Sequence, residues 1–332
     1  MTHTDVFLEN RYEIINEIGR GGLSTVWKAR DKRLDRAVAI KEIRLGEKFR
    51  NETMTGLFRN EMNIMKNLHH PGLPSVYDVI QDDNRLFIIM TYIEGESLDH
   101  LIRRQGAQEQ QQVVEWGKQL CDILMYLHSH NPPIIYGDLK PSNIMLNPSG
   151  QLILIDFGSS FELGGNNLYH LVTQGFSPPE QYNGKVDERS DIYALGMTLY
   201  QLLTGVSVSA LSTELKPVRQ INPAIDKKLE RIIKKCTQIN PSLRFQSVKK
   251  LNNALNSLSG GKVPVMMKYI RSTVNILRNV IKRQEAKKYS AHSAETERTF
   301  YYYDSKIYDS EIIEYNAKLL LRLQNDIENT KW

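Results

Sequence analysis

From Tyr12 to about Met90 the chain carries short runs rich in β-branched and aromatic residues, "YEIINEIG", "STVWKAR", "AVAIKEI" and "LFIIMTYI", bounded by Gly, Asp or Asn. Such runs form strands. From Ser97 to about Leu258 the periodicity becomes that of helices, clearest in "QQVVEWGKQLCDILMYLHSH" and in "SDIYALGMTLYQLLTG", which Gly205 closes as a C-cap. Among the strand runs, "LFRNEMNIMKNL" also has helical spacing. A β-rich block therefore precedes a larger helical one, and the expected fold class is α+β. "SLSGGKVP", Ser257 to Pro264, joins turn formers to a helix breaker. A boundary is expected there, dividing the chain into an extension of 1–11, a main unit of 12–258 and an appendage of 259–332.

The 332 residues, 41% hydrophobic and 24% charged, suffice for two units with substantial cores. The net charge of +5 is spread among interspersed acids and bases, which gives no argument for nucleic acid. Cys121 and Cys236, the only cysteines, lie far apart without metal-ligand spacing, so a reduced compartment and a cytoplasmic location are expected. "MTHTDVFLEN" lacks a charged start followed by an apolar run, and no stretch approaches the apolar length of a membrane span. Neither export nor a transmembrane segment is expected.

"IGRGGLSTV" places Gly19, Gly21 and Gly22 in a turn between two strand runs, where glycine lets backbone N–H groups approach phosphate oxygens. Alone it is a weak signal. "VAIK" on the next run brings Lys41, and the helical "RNEMNIM" supplies Glu61, an acid able to hold that amine towards a nucleotide's phosphates. "YGDLKPSNIML" and "LILIDFGSS" then supply Asp138, Lys140, Asn143 and Asp156 from two hairpin-like segments. Transfer of a γ-phosphoryl group to an alcohol needs a carboxylate to orient the hydroxyl and take its proton, and hard oxygen ligands for magnesium. Asp138 suits the first role, Asn143 and Asp156 the second, and Lys140 would neutralise the moving group. Each residue type is ordinary in turns; their ordered combination is not.

At these residues the sequence resembles the protein kinases, specifically the eukaryotic-like serine/threonine kinases of bacteria, over Tyr12 to Leu258. The resemblance implies a bilobal fold: a β-rich N-lobe of about 12–90, a hinge at 91–96 and a helical C-lobe of 97–258. It implies ATP with magnesium or manganese as cofactors and protein Ser/Thr hydroxyls as substrates. Gly19 and Gly21, preceded by Ile18, would cover the phosphates, Lys41 would pair with Glu61, and Asp138 would be the catalytic base. Asn143 and Asp156 would be the metal ligands. Val26, Ala39 and Met145 would sandwich the adenine, with Met90 as gatekeeper and Ile93 offering backbone hydrogen bonds at the hinge. Thr173, in "TQGFSPPE", falls where such kinases keep a hydroxyl near the base. Glu180 with Arg244, and Asp191, match structural anchors.

Four positions depart from the pattern. Tyr136 stands where the family has a His that packs between the lobes, a place another aromatic can fill. Gly137 replaces the Arg that receives a phosphate from the activation segment. Ser24 and Val172 replace glycines, removing no catalytic group. A catalytically weak, nucleotide-binding scaffold is therefore the alternative reading, and phosphotransfer to a small-molecule alcohol a further one.

In the appendage, Met266, Met267, Ile270, Val274, Leu277 and Ile281 recur at helical spacing among Lys268, Arg271, Arg278, Lys282 and Arg283. "EIIEYNAKLLLRLQNDIEN" also reads as helix. Helices that dock on the main unit or a protein partner are expected; peripheral contact with anionic lipid is the alternative.

Overall fold

Five strands make one antiparallel sheet: β1 (Tyr12–Arg20), β2 (Ser24–Asp31), β3 (Arg36–Arg44), β4 (Val76–Asp82) and β5 (Arg85–Thr91), in the order β1-β2-β3-β5-β4. The computed structural model describes residues 11–21, 24–44, 62, 64–82, 85–164, 172–208 and 215–258. The chain divides into Met1–Gly260 and Gly261–Trp332. All described residues belong to the first unit, so the expected appendage helices lie outside them, as do Gly22, Glu61 and nearly all of the N-terminal extension.

Alternation along β3 sorts the sheet's two faces. Val38 and Ile40 join Tyr12, Ala29, Phe87 and Ile89 on one face. Ile43 packs with Leu86 and Ile88 on the other, against Met62 and Met90. The second face also carries Ala39 and Lys41, because positions two apart share a side. Four of the strands match the strand-like runs. The fifth, β4, does not alternate cleanly: it has one partner strand, a register irregularity between Val76 and Asp78, and exposed Tyr77 and Val79. An edge strand with little to bury leaves little pattern.

Among the described residues six α-helices follow: α1 (Leu98–Gln105), α2 (Gln110–His128), α3 (Glu188–Thr204), α4 (Val218–Ile221), α5 (Lys227–Cys236) and α6 (Val248–Asn256). The helix α3 is buried nearly all round from Ser190 to Thr204, as befits the centre of a core. Asp187 caps its start in a reciprocal capping box with Ser190, and Gly205 ends it at φ 69, a left-handed conformation that glycine adopts at little cost. Short strands lie between α2 and α3: β7 (Ile134–Ile135) pairs with β10 (Phe161–Glu162), and β8 (Ile144–Leu146) joins β9 (Leu152–Leu154) and also β6 (Glu96–Ser97), which precedes α1. Among the described residues no helix is long and apolar enough to cross a membrane.

One buried ion pair ties the end of this core together. Arg244, 2% exposed, donates from both terminal nitrogens to the Glu180 carboxylate, at 2.5 and 2.9 Å. It also donates to the carbonyls of Gln238, Arg189 and Ile239. A buried guanidinium is stable when its donors are used in this way. Arg244→Met would leave Glu180 buried without its cation, at a cost of about 3–5 kcal/mol. Thermal unfolding should show a clear fall in midpoint, and an unchanged midpoint would contradict this account.

Candidate active site

The loop from Tyr136 to Lys140 leaves β7 and runs through a single 3-10 turn, Pro141–Asn143, into β8. Its shape is set by Asp191 on α3, a carboxylate with no exposed surface. Asp191 Oδ2 accepts the Tyr136 amide at 2.9 Å and lies 2.8 Å from His128 Nε2, while Oδ1 accepts the Gly137 amide at 2.9 Å. A buried charge is tolerable with several such partners. Tyr136 is fully buried, packs edge-on against Phe157 with ring centroids 5.3 Å apart, and donates its phenol to the Ile155 carbonyl at 2.5 Å. Burial pushes the phenol's pKa well above its usual value, with the charges of Asp156, Asp138 and Asp191 adding to the rise.

Asp138 follows directly. Its Oδ2 accepts from Lys140 Nζ at 2.7 Å and Asn143 Nδ2 at 2.9 Å, and its Oδ1 accepts from Thr173 Oγ1 at 2.6 Å. Lys140 Nζ also reaches Thr173 Oγ1 at 3.1 Å. Asn143 holds the loop's main chain as well, donating to the Asp138 carbonyl at 2.9 Å. With its amide nitrogen turned to Asp138, its amide oxygen faces elsewhere.

Asp156 stands just beyond β9, at φ 67, in the left-handed region that a non-glycine residue occupies only at a cost in strain. Lys41 Nζ, on β3, donates to its Oδ1 at 2.9 Å. Desolvation pushes the Asp156 carboxyl up, but the Lys41 ammonium outweighs it by charge and hydrogen bond, so the pKa lies below the ordinary 3.8. The pair's stabilisation is therefore present above that ordinary value and is lost as pH falls through the lowered folded one. Near neutrality the carboxylate is charged.

Strand register gathers a second group. Val26 is opposite Lys41, Ala39 is opposite Met90, and Gly19 is opposite Val26. Directly opposed residues share a face, so Val26, Ala39, Lys41 and Met90 line one side of the sheet. Ile18 is exposed on β1, and Gly21 donates its amide to the Ser24 carbonyl at 2.8 Å. Met145 arrives on β8 opposite Ser97, and Ile93 lies on the connection from β5 to β6. Glu61, the expected partner of Lys41, is outside the described residues.

The structure adds three residues that the sequence reading did not place at the loop. His128 joins Asp191. Ser160 Oγ donates to the Tyr136 carbonyl at 3.0 Å, and Gln181 Nε2 donates to the Gly137 carbonyl at 2.9 Å. Ser160 and Gln181 bond main chain, and His128 a carboxylate, far away in sequence, which leaves no local signature.

A family model described as the protein kinase domain matches residues 12–296. Serine/threonine-protein kinase PrkC of Bacillus subtilis is 32% identical over 256 residues, covering 72% of this chain and 39% of the relative. Serine/threonine-protein kinase PknB of Mycobacterium leprae is 31% identical over 282 residues, covering 79% of this chain and 45% of the relative. The chain thus spans less than half the length of these relatives. The matched span contains the whole Lys41, Asp138, Asn143 and Asp156 arrangement, and the chain belongs to the protein kinase family, in its bacterial, eukaryotic-like serine/threonine branch.

Proposed function

We propose that the chain transfers the γ-phosphate of ATP to Ser or Thr hydroxyls of proteins. The observation that carries this reading is the set of bonds converging on Asp138 from Lys140, Asn143 and Thr173, together with the Lys41 and Asp156 pair. Asp138 would accept the substrate hydroxyl's proton as its oxygen bonds to the terminal phosphorus and the bridging P–O bond breaks, releasing ADP. The Thr173 hydroxyl already donates to Oδ1, so that oxygen is aligned to receive such a proton. Lys140 would offset charge on the transferring group, and Lys41 would hold the phosphates that stay behind. On the shared face of the sheet, Val26, Ala39 and Met90 would take the adenine from above, with Met145 from below and Ile93 at the hinge.

The metal donors fit magnesium. Among the described residues no cluster of three or more His, Cys, Asp or Glu stands ready to hold a metal, but magnesium is bound by one or two carboxylates together with substrate phosphates. Asp156, whose side chain is half exposed, and the Asn143 amide oxygen would supply the protein's share. When bound, the ion offsets phosphate charge.

We place the catalytic unit at 12–258, with lobes meeting where β5 ends at Thr91 and the last described helix ending at Asn256. A cytoplasmic site of action is in keeping with Cys121 and Cys236, buried free thiols whose pKa burial raises. The scaffold reading loses weight because no group required for transfer is replaced.

Lys41→Ala, Asp138→Asn and Asp156→Ala should each cut phosphate transfer from labelled ATP to a generic protein by about 100-fold or more. Wild-type protein no better than these variants, with magnesium or manganese, would favour the scaffold.

Regulation follows from Gly137. It sits at φ 78, and a Cβ there would meet the Ser159 carbonyl oxygen at 2.7 Å. No cation at this position can receive a phosphate on Ser159, Ser160, Tyr169 or Thr173. Phosphatase-treated enzyme should keep its initial rate, and a lag abolished by prior phosphorylation would refute this. Gly137→Ala should itself destabilise the chain by about 1–3 kcal/mol through the strained backbone, measurable as a lower unfolding midpoint.

A further inference from the structure

The two residues before Asp138 have all four of their main-chain polar groups bonded to side chains. The carboxylate of Asp191 takes both amides from the α3 side. Both carbonyls are taken by the two ends of the activation segment, the stretch from Ser160 to Gln181: Tyr136 by Ser160 Oγ at 3.0 Å, and Gly137 by Gln181 Nε2 at 2.9 Å. Ser160 and Gln181 are each 4% exposed, so water does not compete for these bonds, and a carbonyl left unpartnered in such a place is costly.

The two donors come from opposite ends of the segment, and each stands in a fixed frame. Next to Ser160, Phe161 pairs with Ile135 in the β7 and β10 ladder, and the Leu163 amide donates to the Pro133 carbonyl at 2.8 Å. Next to Gln181, Glu180 is held by Arg244 and by Ser190 Oγ at 3.0 Å. Neither donor is charged, and neither bond requires a phosphate. Asp138 is the next residue along, so a shift of either carbonyl is passed directly to its carboxylate.

We infer that Ser160 and Gln181 are positioning residues for Asp138, a neutral two-point clamp by which the activation segment fixes the catalytic loop where no arginine precedes the aspartate. The inference rests on the kinase reading for its effect on rate. The clamp itself rests on the four main-chain bonds alone. Its consequence is a catalytic loop whose geometry is set by folding of the segment's two ends and is indifferent to the segment's charge state.

Three variants test it in the full chain. Gln181→Met keeps the volume and removes the donor. Ser160→Ala removes the hydroxyl, and Ser160→Thr restores one. Because a misplacement of about 1 Å can cost 100-fold, Gln181→Met and Ser160→Ala should lower kcat by about 10- to 100-fold. KM for ATP should stay unchanged, and Ser160→Thr should recover most of the rate. A merely structural lesion would move KM and kcat together and would not be rescued by the threonine. Hydrogen exchange gives a readout that needs no activity: amides of 135–140 should exchange faster in both donor-deleted variants, while those of Lys227–Cys236 in α5 stay as in wild type. Faster exchange at 135–140 in the donor-deleted variants, beside a wild type that transfers no phosphate, would sustain the clamp and overturn the kinase reading. An active wild type, with both donor-deleted variants equal to it in kcat and in exchange at 135–140, would overturn the clamp.

Discussion

A single buried carboxylate organises the catalytic half of this protein. Asp191 could not be held without exposed surface unless its charge were met by donors, and the donors at hand are two consecutive amides and an imidazole. Satisfying it bends the loop at Tyr136 and Gly137, which in turn sets the direction in which Asp138 leaves. The helix that bears Asp191 is itself fixed at both ends, by its capping box and by Gly205. It is anchored again through Ser190 to the Glu180 and Arg244 pair. Polar bonds in the core here specify geometry more than they add stability.

The sheet and the helical part contribute different halves of the chemistry. The sheet offers a largely apolar face that carries Lys41, and the loops beyond β7 and β9 offer the carboxylates. The 2.9 Å bond from Lys41 to Asp156 spans 115 positions of sequence, and it joins a strand whose register is fixed by neighbours on both sides to a residue in a strained backbone conformation. That strain persists only where the surroundings hold it.

Legibility in the sequence followed the range of the interaction. The helix α3 could be read because its apolar run, its N-terminal polar residues and its closing glycine all fall within one window. Asp138, Lys140, Asn143 and Asp156 could be read because their order and spacing are themselves a pattern. The strand β4 could not, since an edge strand needs no strict alternation. Ser160, Gln181 and His128 could not either: they bond partners 24, 44 and 63 residues away, and an isolated Ser, Gln or His carries no trace of a partner that only the folded chain brings near. Gly137 was visible as a missing cation, but its positive φ and the closeness of the Ser159 carbonyl belong to three dimensions.

Tyr136 has a consequence for acid response. Imidazole is the side chain whose unperturbed titration falls between about pH 5 and 8, and on gaining a proton at that place it would bring a new charge against Phe157 and the Ile155 carbonyl. The phenol has no such transition: it is neutral below its ordinary pKa of 10, and burial carries that limit higher still. The Tyr136 ring, its stack on Phe157 and its hydrogen bond to the Ile155 carbonyl thus keep one protonation state across the physiological range.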